Sequence, residues 1–417
     1  MKKVWKEHGN TVWSCLVFLT IFFMLGGIAS YSFAQNVKSV KIGIVEPLSG
    51  PLALIGEKDL KAYQIAVKQI NEAGGIKSLG GAKLELIIGD SEGKPEVAMS
   101  QTERLINNGA VVLMGAYQSA SVFTATQTAE RYKTPFLVSC GVADSITERG
   151  FRYTFRFEAP ASMLTRRFFD FLREMGRVSG KEVKTIGLLY EDTLFGQAMS
   201  KTQKKVAGNL GYKIVADLAY PNSTSDVSAY ISKLVQAKPD FVMATSYLND
   251  AILITRTMYE MNLTPLGILG TGGYDQPDYL KGCGNLANNI LISAMWSYRL
   301  KLPNVAKVNA EFMKAYGFNM TGFAAMCYSA TYVVKDALER AGSLDKEKVR
   351  DALADTRLKA GTDGNLLHYD IWFDKKTGQD PDAYELTEQV QNGQFIPVWP
   401  KNLAPGKPVW PFPGWEK

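Results

Sequence analysis

Short apolar runs alternate with helical patterns twice along this chain, and no other feature restricts its fold as much. In the first half Val40–Glu46, Leu84–Ile88, Val111–Met114 and Pro135–Ser139 read as strands. Between them Glu57–Asn71, Pro95–Asn108 and Ser119–Tyr132 carry helical spacing. Leu60, Tyr63, Val67 and Ile70 share one face of the first, Gly74-Gly75 stops it, and Pro95 suits the first turn of the second. Strands and helices in strict alternation predict a parallel sheet with helices on both faces. Phe151–Phe157 reads as an extended link, and the pattern then restarts. Thr185–Tyr190, Lys213–Leu218, Phe241–Thr245, Gly267–Leu269 and Ile290–Ala294 read as strands. Ala161–Met175, Phe195–Leu210, Asp226–Ala237 and Asn249–Met261 read as helices. A chain of 417 residues is too long for one small core. The expectation is two Rossmann-like α/β lobes of repeated architecture. Ala306–Tyr316, Gly322–Ala341 and Lys346–Ala354 add helices, Ile371–Asp374 and Gln394–Val398 late strands. The Pro- and Trp-rich stretch Pro397–Trp415 is expected to be irregular.

Residues 1–34 read as a secretory signal outside the fold. Lys2, Lys3 and Lys6 precede an apolar run from Val12 to Ile28, and Ser32-Phe33-Ala34 offers small residues where a signal peptidase reads. An uncleaved membrane anchor is the rival reading, since the run is long. Cys15 follows Val-Trp-Ser and does not resemble a lipoprotein acylation site. No later stretch is long and apolar enough to span a bilayer.

Several functions are disfavoured. The net charge of +6 is spread out, without a dense basic run or a nucleic-acid-reading motif. Cys140, Cys283 and Cys327 lack the spacing of a disulfide framework or a zinc site; one bridge or three buried thiols both fit. The two histidines are His8, in the signal, and His368, so a His-dependent nucleophile has little to draw on. Ser343-Leu344-Asp345-Lys346 matches S-x-x-K but sits where a helix cap belongs. Gly270-Thr271-Gly272-Gly273 lacks the spacing of a nucleotide-binding turn, and there is no P-loop. No cofactor and no metal are expected, and the chain is not expected to be an enzyme.

Polar and aromatic residues recur just past strand ends, where open α/β sheets bind ligands. In the first lobe these are Ser49, then Tyr117, Gln118 and Ser119, then Gly141, Val142 and Ala143 through Asp144. In the second they are Tyr190, Glu191 and Asp192, then Tyr247, Asn249 and Asp250, then Gly272, Tyr274 and Asp275. Each alone reads equally as a turn or cap residue. Together they suggest a cleft for an amino acid or amide. Ser119, at a helix start whose N–H groups attract anions, would hold a carboxylate. An acid such as Asp250 or Asp275 would neutralise an ammonium.

Ile42–Pro51 (I-G-I-V-E-P-L-S-G-P) and Ala66–Ile76 (A-V-K-Q-I-N-E-A-G-G-I) resemble the start of type I periplasmic binding proteins of the branched-chain amino acid/amide family. Gly115–Ala120, Ile146–Gly150, Tyr190–Gly196 and Tyr247–Ile252 are similar to that family's internal motifs, in the same order. The resemblance implies a monomeric, periplasmic solute-binding component of an ABC importer that delivers a small molecule to membrane permease subunits. It implies lobes joined by a three-strand hinge, with residues 35–157 and 296–375 in lobe 1. Residues 158–295 and 376–405 would form lobe 2, and 406–417 a tail. It places Ser119 at the ligand α-carboxylate and Tyr247 over the ligand. Gly272-Gly273 stands where branched-chain amino acid binders carry a Glu, and the loop Cys140–Asp144 lacks the family's hydroxyl residue, so branched-chain specificity is not carried over. A sensory ligand-binding module, or a periplasmic hydrolase, would be the alternatives.

Overall fold

The computed structural model describes residues 37–362 and 364–415. The expected signal segment therefore lies outside the described residues. Two sheets organise the rest.

The first lobe is built on a five-stranded parallel sheet in the order β2-β1-β3-β4-β5. Its strands are β1 Ser39–Glu46, β2 Lys83–Asp90, β3 Val112–Gly115, β4 Phe136–Val138 and β5 Thr154–Arg156. The crossovers are α1 Ala53–Glu72, α2 Pro95–Asn107 and α3 Ser119–Arg131. All four residues of β3 are buried, as a central strand covered on both faces requires. Val45, Leu105, Leu113, Val122 and Phe136 meet in the core on one side of this sheet. α1 begins four residues earlier than its apolar spacing indicates, because a short 3₁₀ turn over Gly50–Leu52 feeds directly into it.

The second lobe repeats the plan with α4 Ala161–Ser179, β6 Thr185–Glu191, α5 Leu194–Asn209, β7 Lys213–Tyr220, α6 Ser228–Ala237, β8 Phe241–Ser246, α7 Leu248–Glu260, β9 Gly267–Gly272, α8 Pro277–Cys283 and β10 Leu291–Ala294. The chain then returns to the first lobe. α9 Val305–Tyr316 and α10 Gly322–Ala341 pack on α1, and α11 Lys346–Ala354 packs on α10. A two-residue ribbon, β11 Arg357–Leu358 with β12 Ile371–Trp372, precedes the last passage into the second lobe. There β13 Leu386–Gln391 and β14 Gln394–Trp399 add antiparallel strands, giving the order β14-β13-β10-β9-β8-β6-β7.

β13 reads Leu-Thr-Glu-Gln-Val-Gln, too polar to announce a strand, yet five of its six residues are buried. α8 is hidden in a Gly- and Pro-punctuated stretch. Pro397–Trp399 belongs to β14. Residues 400–415 contain neither helix nor strand, but they are fastened to the second lobe. Trp410 stacks on Phe241 with centroids 6.1 Å apart, Phe412 N–H donates to Leu266 O at 2.7 Å, and Trp415 Nε1 donates to Leu263 O at 2.9 Å.

Three connections join the lobes: β5 to α4, β10 to α9, and β12 to β13. The first and third are laced together. Arg156 N–H donates to Gly378 O at 2.8 Å, and Asp380 N–H donates to Arg156 O at 2.8 Å. Cys140, Cys283 and Cys327 are buried free thiols. Cys140, Cys327 and Asp59 come together in the first lobe, their ligating atoms within 4.8 Å of one another. No described helix is long and apolar enough to cross a membrane.

Candidate functional site

Both sheets change direction at their second strand: β1 runs to β2 on one side and the chain then returns to β3 on the other, as β6 does with β7 and β8. Such switch points leave a crevice at the carboxyl ends of the strands. A narrow cleft with about 30 Å³ of free space lies there, lined from both lobes.

The first lobe supplies Tyr117 and Ser119 after β3, Gly141 and Val142 after β4, and Phe323 from the first turn of α10. Ala116 and Tyr117 both have positive φ, 101° and 53°. The backbone folds sharply there and delivers Ser119 as the first residue of α3. No side chain caps that helix start. Its leading N–H groups are therefore available to an acceptor. Ser119 Oγ accepts a bond from Ala143 N–H at 3.3 Å, so its own proton is free to be donated.

The second lobe supplies Phe195, Tyr247, Thr271, Gly272 and Asp275, and Ser293 lies on β10. Phe323, Tyr117, Tyr247 and Phe195 form one row of rings across the two lobes, with successive centroids 5.0, 6.1 and 5.5 Å apart. A side chain at Gly273 is impossible, since a Cβ would stand 2.2 Å from Leu248 N. The acid of this corner is Asp275 instead. It is buried, and burial raises its carboxyl to about 7, against the lowering effect of the Gln276 amide and the Lys58 charge.

Glu158, Met295 and Glu385 complete the cleft. They lie beside the three interlobe connections, where no strand-end rule points to them. Burial raises Glu158 well above the usual carboxylate range, with the Glu385 charge adding to it. Burial also raises Glu385 to about 8.

Of the residues singled out from sequence, Tyr117, Ser119, Gly141, Val142, Tyr247, Gly272 and Asp275 line this cleft. Ala143 stands just behind it, its N–H on Ser119 and its carbonyl on Arg156 Nη1 at 2.8 Å. Gln118 is buried beside Ser121. Ser49 is exposed, its N–H on Asp90 Oδ1 at 3.3 Å. Glu191 closes the start of α5, accepting from Thr193 N–H and Gly196 N–H, each at 2.6 Å. Asp250 accepts from Ser223 N–H at 3.2 Å. Tyr274 packs on Tyr279, centroids 5.0 Å apart. Tyr190 borders a wider groove between α4 and α5, whose charged lining includes Arg166, Lys201 and Lys205.

Lys58 on α1, whose charge acts on Asp275, forms an ion pair with Asp278 on α8, one partner from each lobe. Both side chains are mostly buried.

A family model described as periplasmic binding protein matches residues 39–393. Leu/Ile/Val-binding protein homolog 8 of Brucella suis is 29% identical over 390 residues, covering 91% of this chain and 95% of that protein. The branched-chain amino acid transporter substrate-binding protein of Streptococcus pneumoniae, solved with isoleucine, is similar in fold: TM-score 0.74, 22% identity, 86% of this chain and 98% of that one covered. So is a solute-binding protein of an ABC transporter from Rhodopseudomonas palustris, solved with 3,4-dihydroxybenzoic acid. There the TM-score is 0.74 at 20% identity, with 86% of this chain and 95% of that one covered.

Proposed function

This chain belongs to the periplasmic binding protein family, as an extracytoplasmic solute-binding component of an ABC importer rather than an enzyme, and on that premise we propose that its interlobe cleft binds an amino-acid-like molecule. One observation carries the reading: an uncapped helix start with a free Ser119 hydroxyl on one lobe looks across the cleft at a buried acid, Asp275, on the other. In this arrangement the ligand's carboxylate takes the Ser119 hydroxyl and the leading N–H groups of α3, with the helix dipole favouring the negative charge. Its ammonium takes Asp275, which ionises when a cation replaces the missing water. Tyr117, Tyr247 and Phe195 cover the apolar part. A ligand touching both lobes stabilises the arrangement in which they meet, so binding and closure are one equilibrium. The basic, then apolar, N-terminal segment supports secretion through a signal cleaved after Ala34, with the protein acting as a monomer that hands its ligand to permease subunits.

A thermal-shift screen of amino acids, amides and aromatic acids tests this reading, because a ligand specific to the folded state raises its melting temperature. An amino acid or amide that stabilises the wild type, and does so much less in Ser119→Ala, supports it. Stabilisation by aromatic acids alone overturns it.

A further inference from the structure

Glu158, Asp275 and Glu385 converge on one cleft. Glu158 is 1% exposed, and neither of its carboxyl oxygens has a hydrogen-bond partner. Asp275 Oδ1 accepts from Gln276 Nε2 at 2.7 Å, and Glu385 Oε2 accepts from Ser293 Oγ. Among the described residues no Lys, Arg or His lines the cleft. The nearby cations are already engaged. Lys58 is paired with Asp278, and the Arg156 guanidinium is bonded to Gly141 O, Ala143 O, Thr147 Oγ1 and Gln379 Oε1. Buried carboxyls without cationic partners are costly to keep ionised. One ligand ammonium at Asp275 leaves Glu385 without a cation and Glu158 with only the nearby Arg156 charge, whose N–H groups are spent on other acceptors.

We infer that the cleft selects a ligand with two cationic groups and one carboxylate, the chemistry of a basic amino acid, with the second cation placed against Glu158 and Glu385. The inference rests on the proposed carboxylate anchor at Ser119. Glu158 has both oxygens free to accept from a distal ammonium or guanidinium, a charge-assisted contact. A neutral side chain of the same length would leave that carboxyl without a ligand cation.

The test is calorimetric titration of the full mature chain with L-arginine, L-lysine, L-norleucine, L-leucine and benzoate at pH 7.5. Norleucine matches the lysine stem without its ammonium. The expected result is binding of arginine or lysine at least about tenfold tighter than norleucine, a difference of about 1.4 kcal/mol. Glu158→Gln should bring that ratio close to one. If Glu158→Gln fails to fold by circular dichroism, Glu385→Gln takes its place. Norleucine or leucine binding as tightly as lysine overturns this inference and leaves the amino-acid reading standing. Binding of benzoate alone, or of none of the five, overturns both.

Discussion

Tyr117 of the first lobe and Tyr247 of the second face each other across the cleft, their ring centroids 6.1 Å apart. Neither ring belongs to the core of its own lobe in the way a strand residue does. Each stands at the start of a helix, beyond a strand end, where a ligand between the lobes would meet it. Tyr247→Ala removes the ring without touching a strand. The expected outcome is about a tenfold loss of ligand affinity by calorimetry, from lost apolar cover and a ring pair worth about 0.5–1.5 kcal/mol, with the melting temperature of the empty protein lowered only slightly. Unchanged affinity would remove Tyr247 from the site.

Ser119 has two duties that one substitution separates. Ser119→Ala removes the donor proposed for the ligand carboxylate, a charged hydrogen bond of about 1.5–3 kcal/mol, so affinity should fall by about 10- to 100-fold. It also leaves Ala143 N–H without its acceptor, which should cost about 1 kcal/mol of stability. Chemical denaturation of the empty protein reads the second effect, titration the first. A stability loss with full affinity would make Ser119 a purely structural residue.

Lys58 and Asp278 connect the lobes directly, with side-chain exposures of 12% and 25%. Lys58→Met keeps the aliphatic stem and removes the charge. The predicted result is a more open average separation of the lobes in the absence of ligand, visible as a larger radius of gyration by solution scattering. A few-fold weaker ligand affinity should accompany it, because closure must then be driven by ligand contacts alone. An identical scattering profile would show that the ion pair does not hold the lobes together.

The buried acids give the empty protein a defined pH dependence. Burial raises Asp275 to about 7, and Glu385 and Glu388 to about 8. Unfolded, these groups lose their protons near pH 4. Between the two limits the folded state holds more protons than the unfolded state, so stability falls as pH rises through the folded values. Burial lowers His368 to about 3, which makes stability rise with pH, but only up to its unfolded value near 6.5. Melting temperature measured from pH 6.5 to 8 should therefore decline. A rise across that window would contradict the assignment of these acids as protonated in the folded state. Ligand cations that ionise Asp275 should also displace protons, so the binding heat at pH 6.5 should depend on the ionisation enthalpy of the buffer.

How far the sequence reached depends on what each residue's signal was. β3, α3 and α10 were legible nearly to the residue, because apolar runs and helical spacing report burial directly. Tyr117 and Ser119 after β3, Gly141 and Val142 after β4 and Tyr247 after β8 were legible as candidates because strand ends in α/β sheets lie on one rim. Glu158, Ser293, Met295, Phe323 and Glu385 were not. They come from the interlobe connections, from β10 and from the return helix, and their place in the cleft depends on how distant segments meet. β13 was hidden for a related reason. Its Thr, Glu and Gln residues are buried by tertiary packing that leaves no alternating apolar trace. Glu191 and Asp250 sit at strand ends as expected but are occupied with backbone N–H groups, a duty that chemistry alone cannot separate from ligand binding.

The central claim is that a small amino-acid-like solute bridges the two lobes between Ser119 and Asp275. A crystal structure with a ligand found by thermal shift tests it most directly. The account predicts density between the two tyrosine rings, with a carboxylate within hydrogen-bond reach of Ser119 Oγ and a cationic nitrogen against Asp275. Ligand density in the groove between α4 and α5, with the interlobe cleft empty, would contradict it.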